Sequence, residues 1–164
     1  MAKAKILIVD DDLDLIEGTK AILESQDYEV FSAVNKIEGI DQIKSNRPDL
    51  IILDVRMTTS QEGFEMNLEL RENPDYKDIP VLMQTGIEVM ASNNTIASMI
   101  REMRKDSNFK DNKVLLCRNI TDGSTGVDYL SEEGGSIFLP VDGFLSKPVD
   151  SEFLISEVSR FINK

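Results

Sequence analysis

Three short apolar runs, Ile6-Leu7-Ile8-Val9, Leu50-Ile51-Ile52-Leu53 and Pro80-Val81-Leu82-Met83, constrain this chain more than any other feature. Each is four residues long and uninterrupted by polar residues, the pattern of a strand buried on both faces of a parallel sheet. The segments between them have helical periodicity. Leu15, Ile16, Thr19, Ile22 and Leu23 recur at helical spacing after the first run, and Tyr28 to Ala33 reads as a further strand. Asn35 caps a helix with Ile37, Ile40 and Ile43 on one side, which Arg47-Pro48 stops because proline disfavours helical geometry in the residue before it. Phe64, Leu68 and Arg71 mark a third helix and Ile96, Met99, Ile100 and Met103 a fourth. Gly143-Phe144-Leu145 is a last short strand, and Asp150 caps a final helix carrying Leu154, Val158, Phe161 and Ile162.

Buried strands alternating with amphipathic helices imply right-handed crossovers and a doubly wound α/β fold of (βα)5 type, with a central five-stranded parallel sheet. Ligands of such sheets sit outside the carboxyl ends of the strands. Asp10, Asp11, Asp54, Thr85 and Lys147 all fall at or just after a strand's carboxyl end, so the fold should gather them on one rim. Carboxylates crowded there must take up a proton or a cation, and a set of oxygen donors favours Mg²⁺. Beside such an ion, a carboxylate at the tip of a rigid strand can attack phosphorus, which makes Asp54 the candidate nucleophile. Lys147 would supply a mobile positive charge and Thr85 a hydroxyl donor for phosphoryl oxygens.

Each of these residues also has a plainer reading. Asp12 suits a helix cap, and Asp54 alone would too; Phe144 could be core, Thr85 an ordinary strand-end residue, and Lys147-Pro148 a turn. Met99 and Met103 have core spacing. Gly123-Ser-Thr-Gly126 reads as a turn, since no strand-to-helix context makes it a phosphate loop. The order of the four motifs decides against the plain readings for the rim. Ile-Leu-Ile-Val-Asp10-Asp11-Asp12, Ile-Ile-Leu-Asp54-Val-Arg-Met57, Met-Gln-Thr85-Gly86 and Gly-Phe144-Leu-Ser-Lys147-Pro148 together resemble the receiver domain of two-component response regulators.

The resemblance implies a flavodoxin-like fold in which Asp54 is the phosphoacceptor and Asp11, Asp54 and the Arg56 backbone carbonyl bind Mg²⁺, with Asp10 acting through a bound water. It implies that Thr85 and Lys147 contact the phosphoryl group, that Phe144 changes rotamer with Thr85, and that the Lys147-Pro148 bond is a cis candidate. It also implies a histidine kinase or histidine phosphotransfer protein as donor, and a domain that signals through protein contacts rather than acting as an enzyme on a separate substrate. Two features depart from the family pattern. Thr58-Thr59-Ser60-Gln61-Glu62-Gly63 lacks the expected proline and is one residue longer. Thr85 and Lys147 are 62 residues apart, where one helix with two loops needs roughly 20–25. The surplus points to an insertion over about 106–142, before the last strand, within one domain spanning 1–164. Val114 to Cys117 and Ile137 to Leu139 are candidate strands within it. The insertion lies on the side that family members use for signalling and is a candidate for homodimerisation.

Composition narrows the partners. A formal net charge of -12 over 164 residues, without histidine, argues against binding a nucleic-acid backbone. No apolar run is long enough to cross a membrane or serve as a secretion signal. The lone Cys117 fits a cytoplasmic protein and packs as a small hydrophobe, so Asn119-Ile-Thr121 is not expected to be glycosylated. With Lys164 following the last helix so closely, no output domain is expected beyond it. Two other readings stand beside the phosphoacceptor switch: a receiver-like interaction module independent of phosphorylation, and a haloacid-dehalogenase-like phosphohydrolase with Asp10 as nucleophile, which Leu13 after the motif disfavours.

Overall fold

A five-stranded sheet, whose inner strands are apolar on both faces, is the centre of the first part of the computed structural model, which describes residues 3–55, 60–131, 133 and 135–162. In chain order the first elements are β1 (Lys5–Val9), α1 (Leu13–Glu24), β2 (Glu29–Ala33), α2 (Lys36–Asn46), β3 (Leu50–Asp54), α3 (Ser60–Glu72) and β4 (Val81–Thr85). Next come β5 (Val89–Ser92), α4 (Ile96–Lys105), β6 (Val114–Asn119), β7 (Thr125–Leu130) and β8 (Ser136–Val141), and the chain ends with β9 (Gly143–Ser146) and α5 (Ser151–Ile162). It divides into two compact units, one of Met1–Gly86 with Leu145–Lys164 and one of Ile87–Phe144.

The five-stranded sheet has the order β2-β1-β3-β4-β9, the doubly wound order of flavodoxin-like folds. β1 pairs in parallel with β2 and β3, and β3 with β4, placing Asp54 opposite Gln84. Ile6, Ile8, Leu50, Ile52 and Leu82 pack with Ile16 and Leu23 of α1 and with Leu154 and Val158 of α5. Leu7, Val9, Ile51, Leu53 and Met83 are buried as well, which is why β1, β3 and β4 contain uninterrupted apolar stretches over residues 6–9, 50–53 and 81–83.

The helices start at the expected caps. Asp12 Oδ1 accepts from the Leu15 N–H at 3.1 Å, Asn35 Oδ1 from Glu38 at 2.9 Å and Asp150 Oδ2 from Phe153 at 3.0 Å. One helical face differs from the sequence reading, and another was not assigned by it. Ile37 is 75% exposed, and α2 buries Gly39, Ile40 and Ile43 instead. On α3 the buried positions are Gly63, Met66, Asn67 and Leu70, while Phe64 and Leu68 are only half-buried. Gly63 sets this rotation. A Cβ there would strike the Val55 carbonyl, so the glycine lets α3 lie against the end of β3, and residues three, four and seven places on follow it inward.

The second unit is built on a four-stranded sheet of order β5-β6-β7-β8, with β5 parallel to β6 and the other pairs antiparallel. Its strands β6 and β8 match the sequence expectation, whereas β5 and β7 were not foreseen. β7, Thr-Gly-Val-Asp-Tyr-Leu, looks like a loop because it contains Gly126 and Asp128. The Phe138 ring lies where a Cβ on residue 126 would be, and the Asp128 carboxylate meets the Arg104 guanidinium at 2.9 Å. Arg104 also donates to the backbone carbonyls of Asn112 at 2.7 Å and Asp128 at 3.2 Å, tying α4 and the following turn to β7. Met99 and Met103 of α4 pack on Leu115 and Cys117 of β6.

Candidate functional site

The carboxyl ends of β1, β3 and β4 place the acidic and hydroxyl groups, and the backbone fixes each one. The Asp10 N–H donates to the Ala33 carbonyl at 3.0 Å, and the Val55 N–H, just past Asp54, donates to Gln84 at 3.1 Å. The Lys147 N–H donates to the Thr85 carbonyl at 2.8 Å, which sets the lysine beside the end of β4 although 62 residues separate them in sequence. Asp10, Asp54 and Thr85 are buried, while Asp11 is exposed.

The side chains of Asp10, Asp11, Asp54 and Lys147 converge at the strand ends. Asp10, Asp11 and Asp54 each offer a carboxylate oxygen, and these oxygens lie within 4.8 Å of one another. The Lys147 ammonium reaches Asp10 Oδ2 at 3.0 Å and Asp54 Oδ1 at 3.1 Å. The other Asp10 oxygen accepts from the Asp12 N–H at 2.9 Å. Burial by itself would lower the Lys147 pKa, but the hydrogen bond it donates to Asp10 and the charge of Asp54 outweigh it and raise the value, so the lysine stays charged. One ammonium against three carboxylates leaves a surplus of two negative charges. The donor set therefore fits a divalent, oxygen-preferring cation such as Mg²⁺.

The remaining expected residues are placed as follows. Phe144 is buried in β9, and the Lys147-Pro148 peptide is cis. Arg56, Met57, Thr58 and Thr59 lie outside the described residues, and with them the Arg56 carbonyl. The sequence reading noted Gly63 only as part of a variant loop. In the structure a Cβ at this position would meet the Val55 carbonyl and come 3.4 Å from the Asp54 carbonyl oxygen, so the missing side chain is a determinant of how α3 lies against the end of β3. Among the described residues no helix is long and apolar enough to cross a membrane.

Known proteins resemble this chain in sequence and fold. The family described as the response regulator receiver domain matches residues 6–112. The transcriptional regulatory protein YvrH of Bacillus subtilis (strain 168) is 38% identical over 87 residues, covering 52% of this chain and 35% of that protein. Response regulator MprA of Mycobacterium sp. (strain KMS) is 38% identical over 82 residues, 50% of this chain and 34% of that one. The match thus spans about a third of the length of these curated relatives. Among solved structures, the chemotaxis response regulator CheY4 of Vibrio cholerae superposes with a TM-score of 0.61 at 24% identity, over 98% of this chain and 100% of that one, a likeness of fold. The signal receiver domain of a signal transduction histidine kinase from Syntrophus aciditrophicus gives 0.61 at 26% identity, over 98% and 90% of the two chains.

Proposed function

Since the chain belongs to the response regulator receiver domain family, we propose that it is a phosphoacceptor switch in which Asp54 takes a phosphoryl group from a phosphohistidine on a histidine kinase or a histidine phosphotransfer protein. The observation that carries this reading is the Lys147 ammonium 3.1 Å from Asp54 Oδ1, at a rim where three carboxylates meet. In the reaction an Asp54 carboxylate oxygen forms a bond to phosphorus, the phosphorus–nitrogen bond to the donor imidazole breaks with its electron pair staying on nitrogen, and the imidazole leaves as the neutral ring with a proton taken up from solvent. Mg²⁺ held by Asp11, Asp54 and the Arg56 backbone carbonyl, with Asp10 acting through a bound water, would screen the repulsion between carboxylate and phosphoryl oxygens. Lys147 exchanges its contact with Asp54 for the incoming phosphoryl oxygens while keeping Asp10 as its anchor. Thr85 donates its hydroxyl to another of those oxygens, and Phe144 repacks with it, altering the surface offered to a downstream protein.

Of the competing readings, a phosphohydrolase using Asp10 fits less well, because both of its oxygens are engaged, one by the Asp12 N–H and one by Lys147. An interaction module indifferent to phosphorylation would leave the lysine between two buried carboxylates without purpose. A reducing cytoplasm suits the buried, unpaired Cys117. Intact-mass spectrometry after incubation with acetyl phosphate tests the proposal. One added phosphoryl group is expected with Mg²⁺ and none after chelation, whereas no adduct under any condition supports the phosphorylation-independent module.

A further inference from the structure

The β8 edge of the second unit's sheet has a backbone chemistry that can select a partner. β8 is the last strand of the order β5-β6-β7-β8. Its register with β7 pairs Leu130 with Ser136, Asp128 with Phe138 and Gly126 with Pro140. The Ser131 N–H donates to the Gly135 carbonyl at 2.7 Å, so the position just beyond Leu130 and Ser136 is a hydrogen-bonded pair. Hydrogen-bonded and non-hydrogen-bonded pairs alternate along an antiparallel ladder. Ile137, Leu139 and Val141 therefore spend their backbone groups on β7, and Ser136, Phe138 and Pro140 turn theirs away from it. The Leu130 N–H donating to the Lys113 carbonyl at 2.9 Å confirms the phase, since residue 130 bonds towards β6 and not towards β8. The single proline of the strand sits at an outward position, where its missing N–H costs the sheet nothing.

We propose that this edge pairs with the same edge of a second copy of the chain, antiparallel and centred on Phe138. Edge strands that must stay single usually carry charge, lysine above all. β8 reads Ser-Ile-Phe-Leu-Pro-Val and has no charged residue in a chain of net charge -12, so the paired stretch itself brings no like charges together and the repulsion is confined to carboxylates beyond its ends, the nearest in sequence being Glu133 and Asp142. Outward N–H groups remain only on Ser136 and Phe138, which selects the register. The two Phe138 residues exchange both of their hydrogen bonds, and each Ser136 N–H donates to the carbonyl of Pro140 of the partner subunit. That makes four bonds, and the ladder stops there because Pro140 has no N–H to return. The two-fold closes on itself, so assembly ends at the dimer. Ile137, 46% exposed, comes to lie beside Leu139 of the partner subunit and loses its exposure. A contact of one short strand falls at the small end of protein interfaces, so the dimer is a weak one that populates at high micromolar concentration and above.

Sedimentation velocity on the full chain, run from low micromolar to millimolar concentration, tests the pairing. A monomer–dimer equilibrium is expected. Ser136→Pro deletes two of the four intermolecular bonds and none to β7, and weakens the dimer by roughly tenfold or more. Ile137→Lys places like charges beside the two-fold and abolishes it, and Ile120→Lys, a control at another exposed apolar residue of the same unit (58% exposed), leaves it intact. Circular dichroism checks that each variant is folded, and Ser136→Pro carries the test if Ile137→Lys is not. A wild type that stays monomeric throughout, a dimer indifferent to both β8 variants, or growth beyond the dimer each overturns the proposal.

Discussion

Three glycines on three helices of the first unit differ in what a methyl group would meet, and replacing each by alanine isolates the packing that holds Asp54. Gly18, on the exposed side of α1, has no atom within 4 Å of a built Cβ. Gly18→Ala should therefore show only the helix-propensity gain, a stabilisation of about 0.5–1 kcal/mol. At Gly39 of α2 the nearest atom is the Met66 Cε, 2.8 Å away, the end of a flexible side chain that can turn aside. The gain and the repacking cost should nearly cancel, leaving Gly39→Ala within about 1 kcal/mol of wild type. At Gly63 the obstacle is the Val55 backbone carbonyl, with the Asp54 carbonyl oxygen 3.4 Å away. Neither can rotate out of the way, so α3 or the end of β3 must move. An overpacking cost of about 1–3 kcal/mol then exceeds the propensity gain. In thermal unfolding followed by circular dichroism, each kcal/mol corresponds to roughly 2–4 °C for a chain of this size. The predicted order of Tm is Gly18→Ala above wild type, Gly39→Ala near it and Gly63→Ala below it. Phosphoryl uptake should be slowed by Gly63→Ala alone. If Gly63→Ala gained stability as Gly18→Ala does, the claim that α3 is braced against the β3 terminus would be refuted.

Further expectations concern charge. Lys147→Met removes the ammonium that now neutralises part of the acidic cluster, so calorimetric titration should find Mg²⁺ bound more tightly while phosphoryl uptake falls. The raised Lys147 pKa means that the stability contributed by its ion pairs is complete at neutral pH and fades only as pH climbs above the usual lysine value of 10.5. A denaturation series from neutral pH to pH 9 should therefore show no loss attributable to it. Burial pushes the Cys117 thiol up from 9.0 to about 11, aided by the charge of Asp128. At pH 8 its thiolate fraction is then on the order of a hundredfold below that of a free cysteine, and a thiol-reactive disulfide reagent should label it only when the second unit opens. The unfolded thiol ionises first, so Cys117 makes the fold lose stability as pH rises from 9 towards 11, a loss that Cys117→Ala should remove. Arg104→Met leaves the buried Asp128 carboxylate unpaired and should destabilise the second unit by about 3–5 kcal/mol, seen as faster amide exchange in β6 and β7.

What could be read in the sequence follows from where the information lies. Strands buried on both faces have no choice of residue, so β1, β3 and β4 were visible as uninterrupted apolar runs, and their ends gave the positions of Asp10, Asp54 and Thr85 without any structure. Cap residues act locally, which is why Asp12, Asn35 and Asp150 were found in place. Features that depend on a distant partner were not visible. Gly126 and Asp128 look like loop residues until Phe138 covers one and Arg104 pairs with the other. Ile37 looks like core by spacing, yet it sits in the first turn of α2 at 75% exposure. Which face of α3 is buried could not be read from Phe64, Leu68 and Arg71, because a backbone carbonyl just past β3 sets it through Gly63. The meeting of Lys147 with both Asp10 and Asp54 could be expected from strand-end logic, but the length of the intervening segment hid that most of it builds a sheet of its own.

Reductive trapping of the phosphorylated protein tests the central claim most directly. An acyl phosphate on an aspartate is reduced by borohydride to homoserine, which survives proteolysis and marks its position in a peptide mass spectrum. The account predicts homoserine at position 54, dependent on Mg²⁺ during labelling and absent from Asp54→Asn. Homoserine at position 10 or 11, or its persistence elsewhere in Asp54→Asn at the wild-type level, would contradict it.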